Sequence, residues 1–220
     1  MHNTIKNLIY IEDLIKSIIN DLSNCKPPKI IAVSKTFSID KILPVIEHGH
    51  VDFGENKVQE AISKWTDIKQ DFNHIKLHMI GKLQTNKVKY AVSIFDYIHT
   101  LDNLKLAEKI ANEQIKKKRK LKIFIQVNIG EEDQKNGIDI ENLSHFYKKC
   151  TEDLKLDIVG LMCIPPIDIT SKNYFSKMKK INDSFKLLEL SMGMSSDYLD
   201  AIECGATYVR IGSKIFGQRS

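Results

Sequence analysis

The sequence predicts an α/β protein, a single (β/α)8 TIM-type barrel spanning residues 1–220 with an extra helix at its N-terminus. Three observations lead there: short β-branched runs alternate with longer amphipathic patterns, eight such pairs can be counted, and the runs end in polar residues. Apolar strands that are each followed by a helix form a parallel sheet covered on its outer face, and eight such units close into a barrel. The 220 residues suit one domain able to bury roughly 70% of its unfolded surface. No Pro/Gly/Ser-rich linker and no low-complexity segment divides the chain. An open doubly wound sheet is the alternative, but the first βα turn lacks the GxGxxG loop of its dinucleotide-binding version.

Taken in order, an amphipathic segment at 3–22 precedes the first strand. Strands are expected at 30–34, 51–54, 75–80, 97–100, 121–128, 156–162, 188–192 and 208–211, the second, fourth and seventh being short or ambiguous runs. Between them, apolar residues recur at three- and four-residue spacing over 40–48, 57–65, 86–93, 103–118, 141–151, 173–186 and 197–203, which predicts the intervening helices.

Composition narrows the function classes. No stretch approaches the ~20 apolar residues that a membrane helix needs, and polar and acidic residues interrupt the N-terminus, so a cytoplasmic protein is expected. Cys25, Cys150, Cys163 and Cys204 are scattered without CxxC spacing, which predicts reduced thiols and no metal site. The net charge of +5 comes mostly from dispersed lysines. The one run, Lys116 to Lys120, closes a helix pattern, where cations favour the dipole, so a solvated helix end is expected and not a nucleic-acid surface.

Active sites of such barrels lie at the C-terminal ends of the strands. Here those ends carry Ser34-Lys35-Thr36, Gly54-Glu55-Asn56, His78 running into Gly81-Lys82, His99, Asn128, Met162 before Pro165-Pro166, Ser191 to Ser196, and Arg210-Ile211-Gly212-Ser213. Lys35 closes the apolar run IIAVSK, and low-dielectric walls would favour its neutral, nucleophilic amine; a lysine snorkelling to solvent is the alternative. SMGMSSD and RIGSKIFG are the loops after strands seven and eight, where phosphate sites of these barrels sit; simple helix capping by Ser195 or Ser196 is the alternative.

In chain order, AVSKT, FGENKVQE, HMIGKLQTNK, SMGMSSD and VRIGSKIFG resemble the YggS/PROSC family of pyridoxal 5′-phosphate (PLP) homeostasis proteins over nearly the whole chain. The resemblance implies the fold of the alanine racemase N-terminal domain and PLP held as a Schiff base on Lys35. It assigns the PLP phosphate to Ser195, Gly212 and Ser213, and places Arg210 beside the pyridine nitrogen. Asn56, His78 and Met162 complete the expected cofactor-binding set. Lys214 departs from the family, which often has alanine or threonine there.

The expected function is PLP homeostasis without turnover, by a monomer that hands the cofactor to PLP-dependent apo-enzymes. An amino-acid racemase is the first alternative; the chain ends nine residues beyond Ile211, leaving no room for the second domain that brings the opposing base in alanine racemase. The other is a phosphate-binding barrel enzyme that does not use PLP.

Overall fold

The computed structural model describes residues 1–21, 26–132, 136–166 and 171–218; Cys25 and Ser220 lie outside them. Helix α1 (Asn3–Asp21) comes first. Then β1 (Lys29–Val33), α2 (Ile39–Glu47), β2 (Asp52–Glu55), α3 (Val58–Trp65), the single turn α4 (Ile68–Asp71) and β3 (Lys76–Met79) follow. A 3-10 turn at Thr85–Lys87 leads into α5 (Val88–Ile94), then β4 (Tyr97–Leu101), α6 (Leu104–Lys117), β5 (Lys122–Gln126) and α7 (Ile140–Lys148). After a widened turn at Lys149–Asp153 come β6 (Asp157–Met162), α8 (Ser171–Ser184), β7 (Glu189–Met194), α9 (Tyr198–Glu203), β8 (Tyr208–Ile211) and α10 (Ser213–Phe216). The expected strands and helices are all present to within a few residues. Only the one-turn helices α4 and α10 were not anticipated, being too short to show a 3.6-residue period.

The eight strands pair in chain order, and β8 returns to β1, closing a parallel barrel. Side chains alternate across the sheet, so each strand serves two interiors. Outward-facing Ile30, Ala32, Leu77, Met79, Ile98, Ile123, Ile125, Leu190, Val209 and Ile211 join the core beneath the helices. Inward-facing Ile31, Tyr97, Phe124, Met162 and Tyr208 form a separate cluster inside the barrel.

Helix α1 buries Leu8, Ile11 and Ile15 and packs on α2, α9 and α10. Asn103 caps α6, its side-chain oxygen accepting from the Leu106 N–H at 2.9 Å. Lys116 and Lys117 occupy the last turn of α6, with Lys116 exposed and paired with Glu113 at 3.7 Å. Cys150, Cys163 and Cys204 are unpaired thiols. Among the described residues no helix is long and apolar enough to cross a membrane.

Two histidines sit among the aromatic rings of the barrel interior, both fully buried. His78 stacks on Tyr97 with centroids 4.2 Å apart, and His99 on Phe124 at 4.3 Å. Burial lowers the pKa of both, well below the ordinary value for His99. A depressed folded-state pKa means that the unfolded chain takes up protons first, so stability falls as pH drops below the unfolded imidazole value. The free energy of urea unfolding should therefore decline from about pH 7 to pH 5, by up to about 1.4 kcal/mol per unit for each histidine. His99→Gln should remove one histidine's share of that slope, and a flat profile in the unsubstituted protein would contradict the neutral, buried assignment.

Candidate functional site

At the C-terminal end of the barrel lies a cavity of about 620 Å³ bordered by Lys35, Asn56, Ser195, Arg210, Gly212 and Ser213. These residues come from four different strand ends and were all anticipated at this rim. Two other expected residues are not in its lining. His78 and Met162 are completely buried inside the barrel below the cavity. Both point inward by the strand alternation, and their side chains pack within the barrel interior, His78 on Tyr97 and Met162 in the cluster with Ile31, Tyr97, Phe124 and Tyr208.

Lys35 lies two residues beyond the end of β1, and the backbone turns sharply after it. Thr36 has φ of 68°, a left-handed conformation that costs a β-branched residue on the order of 1–3 kcal/mol. Its N–H donates to Glu60 Oε1 at 2.5 Å, tying the turn to α3. The Lys64 ammonium bridges the same assembly, donating to the Ser34 carbonyl at 2.9 Å, Glu55 Oε1 at 2.9 Å and Glu60 Oε1 at 3.0 Å. Glu55 Oε1 also accepts from the Ser34 hydroxyl at 2.7 Å and the Trp65 indole N–H at 3.0 Å. Burial pushes the Glu55 carboxyl up, opposed by Lys64, Trp65 and Ser34. Glu55, Glu60, Lys64 and Trp65 thus hold the lysine-bearing turn from behind. The only sequence signal for them was FGENKVQE, with Lys64-Trp65 just beyond it.

Across the cavity, Asn56 presents a side-chain oxygen that is buried and has no hydrogen-bond partner among the described residues. Gly81 makes that wall possible: a Cβ there would lie 2.4 Å from the Asn56 carbonyl oxygen.

Arg210 forms part of the floor and is only 4% exposed. Its guanidinium donates to Ser191 Oγ at 2.8 Å and to the Cys163 carbonyl at 2.9 Å. No carboxylate lies within ion-pair distance of it among the described residues, and burial lowers its pKa. Asp197 offsets that burial from beyond ion-pair contact; buried cations are costly, so an anionic or electron-rich ligand in the cavity would relieve the site further.

At the other end of the cavity two loops meet. The Gly212 N–H donates to Ser195 Oγ at 3.2 Å, joining the loop after β7 to the loop after β8. The N–H groups of Ser213 and Lys214 open α10 and have no intrahelical acceptor. A Cβ on Gly212 would meet Val33 of β1 at 3.2–3.3 Å, a tight contact that Val33 would have to yield to by a few tenths of an ångström. Lys214 lies 4.9 Å over the Tyr198 ring at the cavity edge, which keeps the extra cation beside the anion-compatible end.

Residues 13–220 match the family described as the alanine racemase N-terminal domain. The chain is 38% identical over 202 residues, 87% of this chain and 85% of its relative, to the pyridoxal phosphate homeostasis protein of Haemophilus influenzae. Among solved structures it resembles PipY of Synechococcus elongatus with PLP bound, at 33% identity and a TM-score of 0.81 over 92% of this chain and all of that one. The alanine racemase of Clostridium difficile shares the fold at 15% identity and a TM-score of 0.72, over 98% of this chain and 56% of that one. A closed parallel barrel with its lysine, guanidinium and paired hydroxyl loops on one rim, and these relatives, place the chain in the alanine racemase N-terminal domain family, among the pyridoxal phosphate homeostasis proteins.

Proposed function

We propose that this chain holds PLP in the rim cavity through a Schiff base on Lys35 and serves PLP homeostasis as a carrier without turnover. One observation carries the reading. Lys35, a buried guanidinium without a carboxylate, and a hydroxyl- and amide-lined end share one cavity of about 620 Å³, within the usual size of a small-molecule site. The residues fit the cofactor: the Asn56 side-chain oxygen has no partner among the described residues, and Arg210 brings a buried cation with no carboxylate in ion-pair contact among them. The likeness to PipY with PLP bound supports the same choice.

Bound PLP supplies an aldehyde that a lysine amine can capture and a pyridine ring that acts as an electron sink when its nitrogen is protonated. In this reading Lys35 carries the aldehyde, held in place by the braced Thr36 turn. Ser195, Ser213 and the amides at Ser213 and Lys214 take the phosphate at the Gly212 corner, with the Lys214 side chain adding positive charge at the rim. Arg210 faces the ring nitrogen. A guanidinium donates hydrogen bonds and accepts no proton, so it keeps that nitrogen unprotonated and the sink weak.

Lack of a second base argues the same way. Among the described residues lining the cavity the ionisable side chains are Lys35, Arg210 and Lys214, with no Asp, Glu, His, Tyr or Cys. The carrier would act as a cytosolic monomer and pass PLP to apo-enzymes.

Borohydride reduction of the PLP-loaded protein, followed by peptide mapping, should place the label on Lys35. Lys35→Ala should lose that label and retain only weaker, reversible PLP binding. Label on another lysine would overturn the assignment.

Charge-assisted hydrogen bonds to an anion are each worth about 1.5–3 kcal/mol, so Ser195→Ala and Ser213→Ala should each weaken PLP binding by roughly tenfold or more in equilibrium titrations. Unchanged affinity in both would move the phosphate elsewhere.

The absence of turnover is read by α-proton exchange of L- and D-amino acids in deuterated water. The expected rate stays close to that with free PLP, whereas an enzyme with a working base would exceed it by about 10²–10⁴-fold. Protein-dependent exchange with inversion, lost in Lys35→Ala, would establish the racemase reading.

A further inference from the structure

The barrel floor contains a line of polar side chains that the cavity lining does not explain. Arg210 donates to Ser191 Oγ at 2.8 Å, and Ser191 Oγ meets His99 Nδ1 at 2.9 Å. His99 Nε2 meets His78 Nδ1 at 2.9 Å, and His78 Nε2 meets Asp52 Oδ1 at 2.9 Å. Ser191, His78 and His99 are fully buried. Asp52 opens β2 at the opposite mouth of the barrel, and its side chain is 15% exposed. The line runs through the barrel from one end to the other.

Its hydrogens can be assigned from chemistry. Arginine only donates, and an ionised carboxylate only accepts. With Asp52 ionised, His78 must donate from Nε2, leaving Nδ1 to accept; His99 must then donate from Nε2 and accept at Nδ1, from the Ser191 hydroxyl. Ser191 is left with its lone pairs toward Arg210. Every hydrogen points away from Arg210, and both imidazoles are neutral. A chain polarised in one direction strengthens each acceptor along it, so Ser191 Oγ grips the guanidinium more firmly than an isolated hydroxyl would. With the Cys163 carbonyl holding the second terminal nitrogen, the plane of the guanidinium is set.

We propose that Asp52, His78, His99 and Ser191 are positioning residues that fix how Arg210 presents its N–H bonds to the ring nitrogen of PLP. This rests on the functional reading above. None of the four lines the cavity; they act through Arg210. Asp52 sets the direction of the chain. An asparagine there could offer an N–H instead, turn both imidazoles over and release the Ser191 hydrogen.

Nitrogen-15 labelling of the histidines tests the chain in the protein before PLP is added: His78 and His99 should both appear as neutral Nε2–H tautomers. The second measurement uses PLP labelled at its ring nitrogen. Ser191→Ala should shift that nitrogen's signal and the visible absorption band of the bound cofactor. It should weaken PLP binding by about two- to tenfold, the effect of one lost hydrogen bond, with affinity for inorganic phosphate unchanged; Ser191→Thr should restore the spectrum. Asp52→Asn, made at the far mouth and so available should Ser191→Ala not fold, should shift the spectrum in the same direction. The double variant should go no further than either alone. An Nδ1–H tautomer at either histidine, or PLP spectra unmoved in both Ser191→Ala and Asp52→Asn, overturns the inference alone. Wild-type protein that takes up no PLP overturns the functional reading and the inference together.

Discussion

A guanidinium closed off from water, with no carboxylate in ion-pair contact among the described residues, is the constraint around which this barrel is arranged. Taking such a charge out of water costs several kcal/mol unless its N–H groups are satisfied. Arg210 finds two acceptors in the barrel, Ser191 and the Cys163 carbonyl, and turns its remaining capacity toward the cavity. Because Ser191 must accept, its own hydrogen must go elsewhere, and His99, His78 and Asp52 follow in sequence. The polar line displaces the branched aliphatic residues that usually fill such barrels, and the surrounding space is closed by rings: Tyr97 under His78, Phe124 under His99, Tyr208 against both.

The opposite wall follows a different logic. Lys35 needs a fixed origin, and the chain supplies it by burying Glu55, Lys64 and Trp65 behind β1. Buried ion pairs contribute little net stability but define geometry through their bonds; here Glu55 Oε1 accepts from Ser34, Lys64 and Trp65, while Oε2 has no partner among the described residues. Lys64 meets three acceptors, which makes it a rivet for β1, β2 and α3. The left-handed Thr36 is the local strain that this assembly holds in place.

The barrel was legible because each strand is buried on both faces and each helix on one, leaving periods that survive in the bare sequence. Lys35, Arg210 and the serine loops were legible through position at strand ends and through five ordered motifs. His78 was read as a wall of the cavity because the sequence places it near a strand end without saying how deep along the barrel axis it falls. Met162 likewise lies in the buried cluster inside the barrel and not in the cavity lining. The partnership of His78 with His99 and Ser191 joins residues from β3, β4 and β7. No local pattern encodes a contact across a barrel lumen. The Glu55 cluster was hidden differently: FGEN drew attention to Asn56, while Lys64 and Trp65 look like ordinary members of an amphipathic helix.

The two ends of the chain are clasped together. Helix α1 packs on α10, and the Asn7 side chain donates to the Ile215 carbonyl at 3.0 Å, one turn beyond the Gly212–Ser213 corner. In chain order Lys35 is synthesised well before the guanidinium and both hydroxyl loops. A nascent chain stalled before β8 would carry the lysine but neither the cation nor the closing hydrogen-bonded seam between β8 and β1. The cavity thus comes into being only at the final step of barrel closure, and a partly made chain has no finished pocket in which to trap a small molecule.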